Sequence, residues 1–341
     1  MNRYRNMPTT ILTKDKTRII KGFAILFMIA HHCFIKEFYL DSPSILNSYF
    51  ALRVQIGMKM CVGLFTFIIG YGGGYALKID LRYIYSHVWR LLKQYWIVLA
   101  ITLLLIIIHE SSFKFIVGQR EFGRVLLNMV GLNPYYNLGN WYIYFYIYAL
   151  CIIPLLRRFL LNRVWVKTLI LTVCCGIASY SIPADMLLFK VLKECLRYTP
   201  ILVIGYVCAK TQILTLLYNL TKYKAIWALL AVVAVVFRCM ASSIIGISTD
   251  IVCVPTFILS ISALFIGNEN SLIASVFSSL GKNSTLMWFI HALPFSSATR
   301  IIFQSSPLWI NNVFVLFLVI TILSFLVSLI INKLFKKMRI N

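Results

Sequence analysis

Acidic residues are scarce in this chain, which has 10 Asp and Glu residues against 33 Lys and Arg residues and a formal net charge of +23. Charged residues of both signs make up only 13% of its 341 residues, whereas hydrophobic residues make up 60%. A soluble globular domain carries about 25% charged residues. The shortage of charge, with a mean hydropathy of +0.85, excludes an ordinary soluble fold and indicates a polytopic membrane protein. Because the hydrophobic runs extend from residue 19 to residue 335, no soluble domain of useful size is left over.

The chain also lacks the spacings that define metal sites and disulfide frameworks. Its nine cysteines are scattered, mostly within apolar runs, and none forms a C-x-x-C pair. They are typical of small buried hydrophobic residues. No Ser-His-Asp set and no metal-binding cluster stands out, so we expect no metal. A cleavable signal peptide is not expected either, because the polar N-terminal region is long and no small-residue cleavage site follows the first apolar run. That run is better interpreted as a signal anchor.

The basic residues cluster at the ends of the apolar runs, as the positive-inside rule and anionic lipid headgroups favour. We therefore expect membrane lipids, and not nucleic acid, to be the partners of this charge. Hydropathy predicts an all-α membrane bundle of about ten transmembrane helices, at residues 19–38, 53–77, 88–108, 140–156, 165–182, 195–210, 224–241, 249–267, 282–303 and 309–334. Loops are numbered by the predicted helix that they follow. Lys and Arg are more frequent in both terminal regions and in the even-numbered loops than in the odd-numbered loops, which predicts that both termini are cytoplasmic.

We expect a single membrane domain over residues 1–341, with cytoplasmic tails at 1–18 and 336–341 and the bundle at 19–335. The longest external segment is predicted at 109–139 and is rich in Asn, Gly, Pro and aromatic residues. This composition suits either a structured cap or re-entrant segment that faces a substrate, or a simple connector.

The first apolar helix contains the most informative spacing in the chain. Lys21 and His32 are 11 residues apart, which returns to nearly the same helix face after a rise of roughly 16 Å. Lys21 is thus predicted at a membrane interface, with His32 about half a bilayer deeper on the same face. One interpretation is an anchoring lysine and a packing histidine. The other is a cation near the cytoplasm and a general base in a buried channel, for which an imidazole is suited. His31 lies about 100° from His32, so the geometry favours His32.

Five segments in order resemble the integral-membrane acyltransferase family 3. The family's opening helix has an arginine, ten further residues and a histidine; Lys21 stands in the arginine position and His32 in the histidine position. Lysine keeps the charge but loses the bidentate guanidinium fork. The other segments are residues 62–75, 85–96, 139–150 and 280–291, and together the five span nearly the whole chain.

The resemblance implies a role for two basic residues on the cytoplasmic side, Arg90 and Lys93. These residues are three positions apart, so both can reach one anion. By the resemblance they would bind the phosphates of acetyl-CoA, the acyl donor, and Arg18 is a further candidate. From the sequence alone, positive-inside anchoring is the more usual explanation of such a pair.

Other residues are candidates for the substrate side. His31 and His291 could line the acceptor site, and Trp141 shares a helix face with Tyr148 that could stack on a sugar ring. Packing explains His291 equally well, and an interfacial position explains Trp141.

The resemblance implies a bacterial membrane O-acyltransferase, embedded as a multi-pass protein in the cytoplasmic membrane. It would move an acetyl or other short acyl group from cytoplasmic acyl-CoA to hydroxyls of a cell-surface or lipid-linked carbohydrate. His32 and Lys21 would be catalytic. The alternative is a transporter or flippase of a polar or lipid-linked substrate that uses the same buried histidines. The acceptor sugar, the acyl length and the oligomeric state do not follow from the sequence.

Overall fold

A computed structural model describes residues 10–38, 44–110, 119–183, 186–241, 246–306 and 309–337. Within these ranges the chain is helical and has no β-strand. The α-helices are α1 Lys14–Cys33, α2 Tyr49–Met58, α3 Met60–Tyr75, α4 Leu81–Glu110, α5 Gln119–Met129, α6 Trp141–Phe159, α7 Val164–Ser181, α8 Leu187–Thr211, α9 Ile213–Tyr218, α10 Lys224–Met240, α11 Gly246–Leu264, α12 Leu272–Ile290, α13 Arg300–Gln304 and α14 Val313–Lys337.

Five helical segments within the described ranges are long and apolar enough to cross a membrane, namely Tyr49–Tyr75, Leu81–His109, Leu138–Phe159, Val164–Ser181 and Val313–Lys337. A shorter apolar helix covers Ser248–Leu264. The all-helical membrane class is therefore confirmed, whereas the count of ten spans and the cytoplasmic termini stay predictions. Residues 1–9 and 338–341 of the predicted tails lie outside the described residues.

Several predicted helices have different boundaries in the structure. The predicted helix at 53–77 is two helices, α2 and α3, joined at Lys59. The predicted helix at 195–210 begins earlier, at Leu187. The predicted helix at 282–303 is α12 followed by a 3₁₀ turn at Leu293–Phe295, because Pro294 cannot continue the hydrogen-bond ladder of an α-helix.

Helix α1 lies at the centre of the bundle and packs most closely on α12. A Cβ atom at Gly22 would collide with the backbone carbonyl of Phe277, and one at Gly281 would collide with that of Arg18. Phe23 and Phe277 stack beside this crossing with ring centroids 3.8 Å apart. Small residues allow two backbones to approach this closely in a membrane. The crossing fixes α1 against α12 along the length that leads to His32.

A second glycine crossing joins α3 and α8. A Cβ atom at Gly70 would meet the carbonyl of Leu202, and one at Gly205 would meet that of Phe67. Gly70 belongs to a glycine-rich stretch, and here the absence of a side chain serves helix packing.

The described part of the long loop folds back into the bundle. Asn137 donates through Nδ2 to the carbonyl of Phe289 (2.8 Å), and Trp288 donates through Nε1 to the carbonyl of Gly139 (2.9 Å). Asn128 and Asn140 are fully buried. Residues 130–140 therefore form a packed cap on α12. Residues 111–118 of the predicted segment lie outside the described residues.

Asp250 and Glu194 lie inside helices, and each is paired with a basic residue. Asp250 is in α11, where it is fully buried and paired with Arg238 of α10 at 2.6 Å. Glu194 is in α8 and is paired with Arg197 at 2.9 Å. A charge with a close opposite charge can be buried in a helix bundle, so these two residues carry no information about loop orientation.

Candidate active site

The structure brings two histidines from distant parts of the chain into contact. His32, near the end of α1, has its Nδ1 atom 2.9 Å from Nε2 of His291, which follows the last turn of α12. The two rings are nearly parallel, with an interplanar angle of 12°. His32 is 8% exposed and His291 only 1% exposed. Of the pair, His32 lines the polar cavity described below, whereas His291 lines a separate cavity of about 220 Å³ with mostly apolar walls.

The hydrogen bonds fix which nitrogen of each neutral ring carries the proton. Nδ1 of His291 lies 2.9 Å from the carbonyl oxygen of Met287, which can only accept, so this nitrogen is protonated. Nε2 of a neutral His291 is then the acceptor, and His32 must donate to it through Nδ1. The remaining nitrogen of His32, Nε2, carries a free lone pair. His32 is therefore oriented as a base, and His291 holds its ring in that orientation.

A cavity of about 380 Å³ opens on the His32 side of this pair. We call it the histidine cavity, and its lining includes His31, His32, Lys59, Asn140, Trp141, Tyr144, Lys190, Glu194 and Tyr198. His31 is held by a bond from Nδ1 to the carbonyl of Gln55 at 2.8 Å. Trp141 lies 6.0 Å from Tyr198 between ring centroids, at an interplanar angle of 27°. The cavity thus combines a base, charged groups and aromatic walls, a typical composition for a small-molecule site.

A second cavity, of about 600 Å³, lies toward the other end of α1. We call it the Lys21 cavity; its polar and charged lining residues include Lys14, Lys21, Tyr83, His87, Arg90, Gln94, Tyr146 and Ser284. A third cavity of about 730 Å³, the Lys333 cavity, shares Arg90 and Gln94 with it and is also lined by Lys93, Lys282, Asn283, Asn332, Lys333 and Lys336. Among the residues that the structure describes, no acidic residue lines either cavity. Both are therefore suited to anions.

The Lys21 cavity and the histidine cavity approach one another from opposite ends of the same helices. Along α3, Val62 lines the histidine cavity and Phe65, one turn later, lines the Lys21 cavity. Along α6, the same change occurs between Trp141 and Tyr142. The rings of Phe65, Tyr142 and Trp288 contact one another at this point, with centroids 4.6 to 6.2 Å apart. This aromatic cluster separates the two cavities.

Asp80 positions the basic residues at the start of α4. Its Oδ1 atom accepts a bond from the backbone N–H of Tyr83 at 2.9 Å, which caps the helix. This bond, together with the nearby ammonium of Lys78, holds the pKa of the Asp80 carboxyl below its usual value. The cap is therefore ionised at neutral pH and fixes the first turns of the helix that carries His87 and Arg90.

The predicted site residues divide between these cavities. His31, His32 and Trp141 line the histidine cavity, Lys21 and Arg90 line the Lys21 cavity, and Arg90 and Lys93 line the Lys333 cavity. His291 contacts His32 directly. The structure thus places His32 in contact with His291, and it places Lys21 and Arg90 in the lining of one cavity.

Two predicted residues lie elsewhere. Arg18 is half-buried and paired with Asp15 at 2.6 Å, and it is not among the residues that line these cavities. The hydroxyl of Tyr148 is bonded to Thr199 at 2.8 Å, also away from the three cavities.

The sequence interpretation did not single out other lining residues. Lys59 and Asn140 line the histidine cavity, and Lys282, Lys333 and Lys336 line the Lys333 cavity. The clustering of lysines near the C-terminus was visible in the sequence, but its position beside Arg90 depends on the packing of α14 against α12.

The fold and this site define a helical membrane protein with a buried histidine pair beside one cavity and a basic cavity beyond the aromatic cluster. The sequence matches the family model of an acyltransferase domain, Acyl_transf_3, over residues 18–333. No curated protein and no solved structure gives a significant match. Because the matched region covers nearly the whole chain, the chain belongs to acyltransferase family 3 and is a membrane acyltransferase.

Proposed function

We propose that this protein is an O-acyltransferase that takes an acetyl or other short acyl group from acyl-CoA and transfers it to a hydroxyl of a cell-surface or lipid-linked carbohydrate. It would be a multi-pass protein of the bacterial cytoplasmic membrane, with both termini in the cytoplasm. The observation that carries the proposal is the His32–His291 contact beside the histidine cavity, which the aromatic cluster separates from the basic Lys21 cavity.

The basic cavities support an acyl-CoA donor. Coenzyme A is an elongated molecule with several phosphates, and two adjoining cavities that share Arg90 offer room and positive charge for such a shape. In this arrangement the Lys333 cavity binds phosphates through Lys93 and its neighbours. The Lys21 cavity receives the arm that carries the thioester, and Lys21 lines its path. The acyl group then reaches His32 past the aromatic cluster of Phe65, Tyr142 and Trp288.

The histidine pair supports a general-base mechanism. Nε2 of His32 removes the proton from the acceptor hydroxyl as the oxygen attacks the thioester carbonyl, and the C–S bond breaks when the tetrahedral intermediate collapses. The proton ends on the sulfur of the leaving CoA thiol, and the acyl group ends as an ester on the acceptor. His291 accepts from Nδ1 of His32 throughout, which keeps the imidazole in the required tautomer and disperses its charge while it holds the proton.

The test is transfer of radiolabelled acetyl groups from acetyl-CoA to membrane glycans by wild-type and variant proteins at matched expression. We expect His32→Ala to lower the transfer rate about 10²- to 10⁴-fold, the range for a lost general base. His291→Ala should lower it less, and His291→Gln should recover part of the loss, because the amide oxygen can accept from Nδ1 of His32. His109→Ala is the matched control, since His109 is exposed at the end of α4.

Unchanged transfer in His32→Ala would remove His32 as the base. Equal losses in the two His291 variants would show that His291 does more than orient its partner. If wild-type protein neither transfers the label nor binds acetyl-CoA, the acyl-CoA mechanism is wrong.

A further inference from the structure

The histidine cavity holds more positive charge than its own acids neutralise. Lys59 and Lys190 line it, and the one carboxylate among its lining residues is that of Glu194. That carboxylate already accepts a bond from Nη1 of Arg197 at 2.9 Å. Within the described ranges, neither lysine forms an ion pair with a carboxylate. The cavity therefore offers two free ammonium groups to a ligand.

The backbone holds Lys59 close to His31 in the wall of the histidine cavity. This lysine stands at the junction of α2 and α3, one turn after Gln55, whose carbonyl fixes His31. Lys190 lies on α8, on another wall of the same cavity. The two ammonium groups thus approach the cavity from different helices, an arrangement that suits one anionic group bound between them.

Asn140 is one of the residues that line the cavity, and its side-chain oxygen is an unsatisfied acceptor. It is fully buried, and its Nδ2 atom donates to the carbonyl of Asn133 at 2.5 Å. Its Oδ1 atom is buried and has no hydrogen-bond partner in the described part of the chain. A buried acceptor without a donor costs free energy unless a ligand supplies one. A sugar hydroxyl is a donor of this kind.

The remaining walls are aromatic. Trp141, Tyr144 and Tyr198 line the cavity, and the rings of Trp141 and Tyr198 are nearly parallel. Flat rings of this type pack against the apolar face of a sugar while their polar atoms remain free to hydrogen-bond. The cavity volume of about 380 Å³ lies within the range for small-ligand sites, roughly 300–1,000 Å³.

We propose that the histidine cavity selects an anionic carbohydrate, with a carboxylate or phosphate group bound by Lys59 and Lys190 and a hydroxyl directed to His32. The role of His32 in this assignment rests on the proposed acyl transfer, whereas the binding preference is independent of it. A neutral sugar would leave both ammonium groups without a partner, so the charged acceptor is preferred.

The binding test compares methyl β-glucuronide with methyl β-glucoside. The two differ only at C6, which is a carboxylate in the first and a hydroxymethyl group in the second. Binding is measured by saturation-transfer NMR on the full-length protein in a neutral detergent without a sugar headgroup. We expect the glucuronide to bind about tenfold more tightly, as charge-assisted hydrogen bonds predict. Lys59→Gln should remove the difference, and Lys36→Gln, at an exposed lysine outside the cavity, should keep it. A third probe, methyl glucoside 6-phosphate, distinguishes phosphate from carboxylate.

Equal affinity of wild-type protein for all three probes would overturn the proposal, as would an unchanged preference in Lys59→Gln. Lys190→Gln provides a second variant that does not disturb the core, because Lys190 is exposed, and it should weaken the preference in the same direction.

A transfer assay separates recognition from catalysis. If Lys59 recognises the acceptor, Lys59→Gln raises the KM for the glucuronide much more than the KM for the glucoside. An equal fall in kcat for both acceptors would mean that Lys59 acts on the acyl carbonyl, and would overturn the recognition role. Absence of any transfer by wild-type protein counts against the acyltransferase mechanism alone, because the binding comparison stands without it.

Discussion

At the scale of single residues, the histidine pair combines a predicted residue with a partner that the sequence leaves undefined. His32 follows from its spacing to Lys21 and from the family resemblance. His291 was a candidate equally well explained by packing, and 259 positions separate it from His32. The interatomic contact gives it a definite place, because it accounts for the orientation of the His32 ring.

The buried pair of Arg238 and Asp250 is the other informative feature at this scale. The two side chains are 1% and 0% exposed and 2.6 Å apart, and Nη1 of the arginine and Oδ2 of the aspartate have no partner in the described part of the chain. Each charge stabilises the other, because either residue alone would be an unpaired charge in the interior.

We therefore expect Arg238→Met to lower the free energy of unfolding by about 3–5 kcal/mol, because it leaves the Asp250 carboxylate unpaired. The double variant Arg238→Met/Asp250→Leu should recover most of this loss. The measurement is denaturant unfolding in detergent micelles. If the double variant is as unstable as the single one, the loss comes from packing and not from the unpaired charge.

At the scale of secondary-structure elements, backbone contact between α1 and α12 positions the histidine pair. Both helices run toward His32 and His291 from a crossing where Gly22 and Gly281 allow close approach. Each glycine serves helix packing.

We expect Gly22→Ala to destabilise the protein by about 1–3 kcal/mol, because the added methyl group meets a backbone carbonyl that cannot move aside. Gly176→Ala is the control: it is also inside a helix, α7, but a Cβ there meets nothing within 4 Å. That substitution should be neutral or stabilising by up to about 1 kcal/mol through helix propensity. Thermal unfolding in detergent compares the two variants, and a Gly22→Ala protein as stable as Gly176→Ala would contradict the close crossing.

At the scale of the whole molecule, the two-cavity arrangement predicts that donor and acceptor sites can be blocked separately. Gly72 lines the Lys21 cavity, and a Cβ atom added at this position meets no atom within 4 Å. A larger residue there should fill the cavity without disturbing the fold.

We expect Gly72→Leu to raise the Kd for acetyl-CoA at least about tenfold, which corresponds to a loss of 1.4 kcal/mol of binding free energy. Its unfolding temperature and its affinity for methyl β-glucuronide should not change. Gly176→Leu, which also enters open space but lies outside the Lys21 cavity, should leave acetyl-CoA binding unaltered. Isothermal titration calorimetry measures both, and unchanged acetyl-CoA binding in Gly72→Leu would place the donor elsewhere.

The sequence by itself determined the membrane class and the family, and it singled out His32 as the candidate catalytic residue. These follow from composition, hydropathy and the spacing of residues on one helix. All three are properties of the sequence that do not depend on how the helices pack. Local pattern also marked the two basic residues Arg90 and Lys93. It does not identify Asp250 and Glu194 as members of ion pairs, since a paired charge within a helix looks the same in the sequence as a charge in a loop.

Only the tertiary structure decided which of these residues meet. It joined His32 to His291, placed the C-terminal lysines beside Arg90, and brought Lys59 and Asn140 to the wall of the histidine cavity. Such contacts depend on which helix faces pack together and how closely, and here glycines in α1, α3, α8 and α12 set that approach. Interhelical distances are properties of packing, and neither the hydropathy nor the periodicity of a single helix contains them.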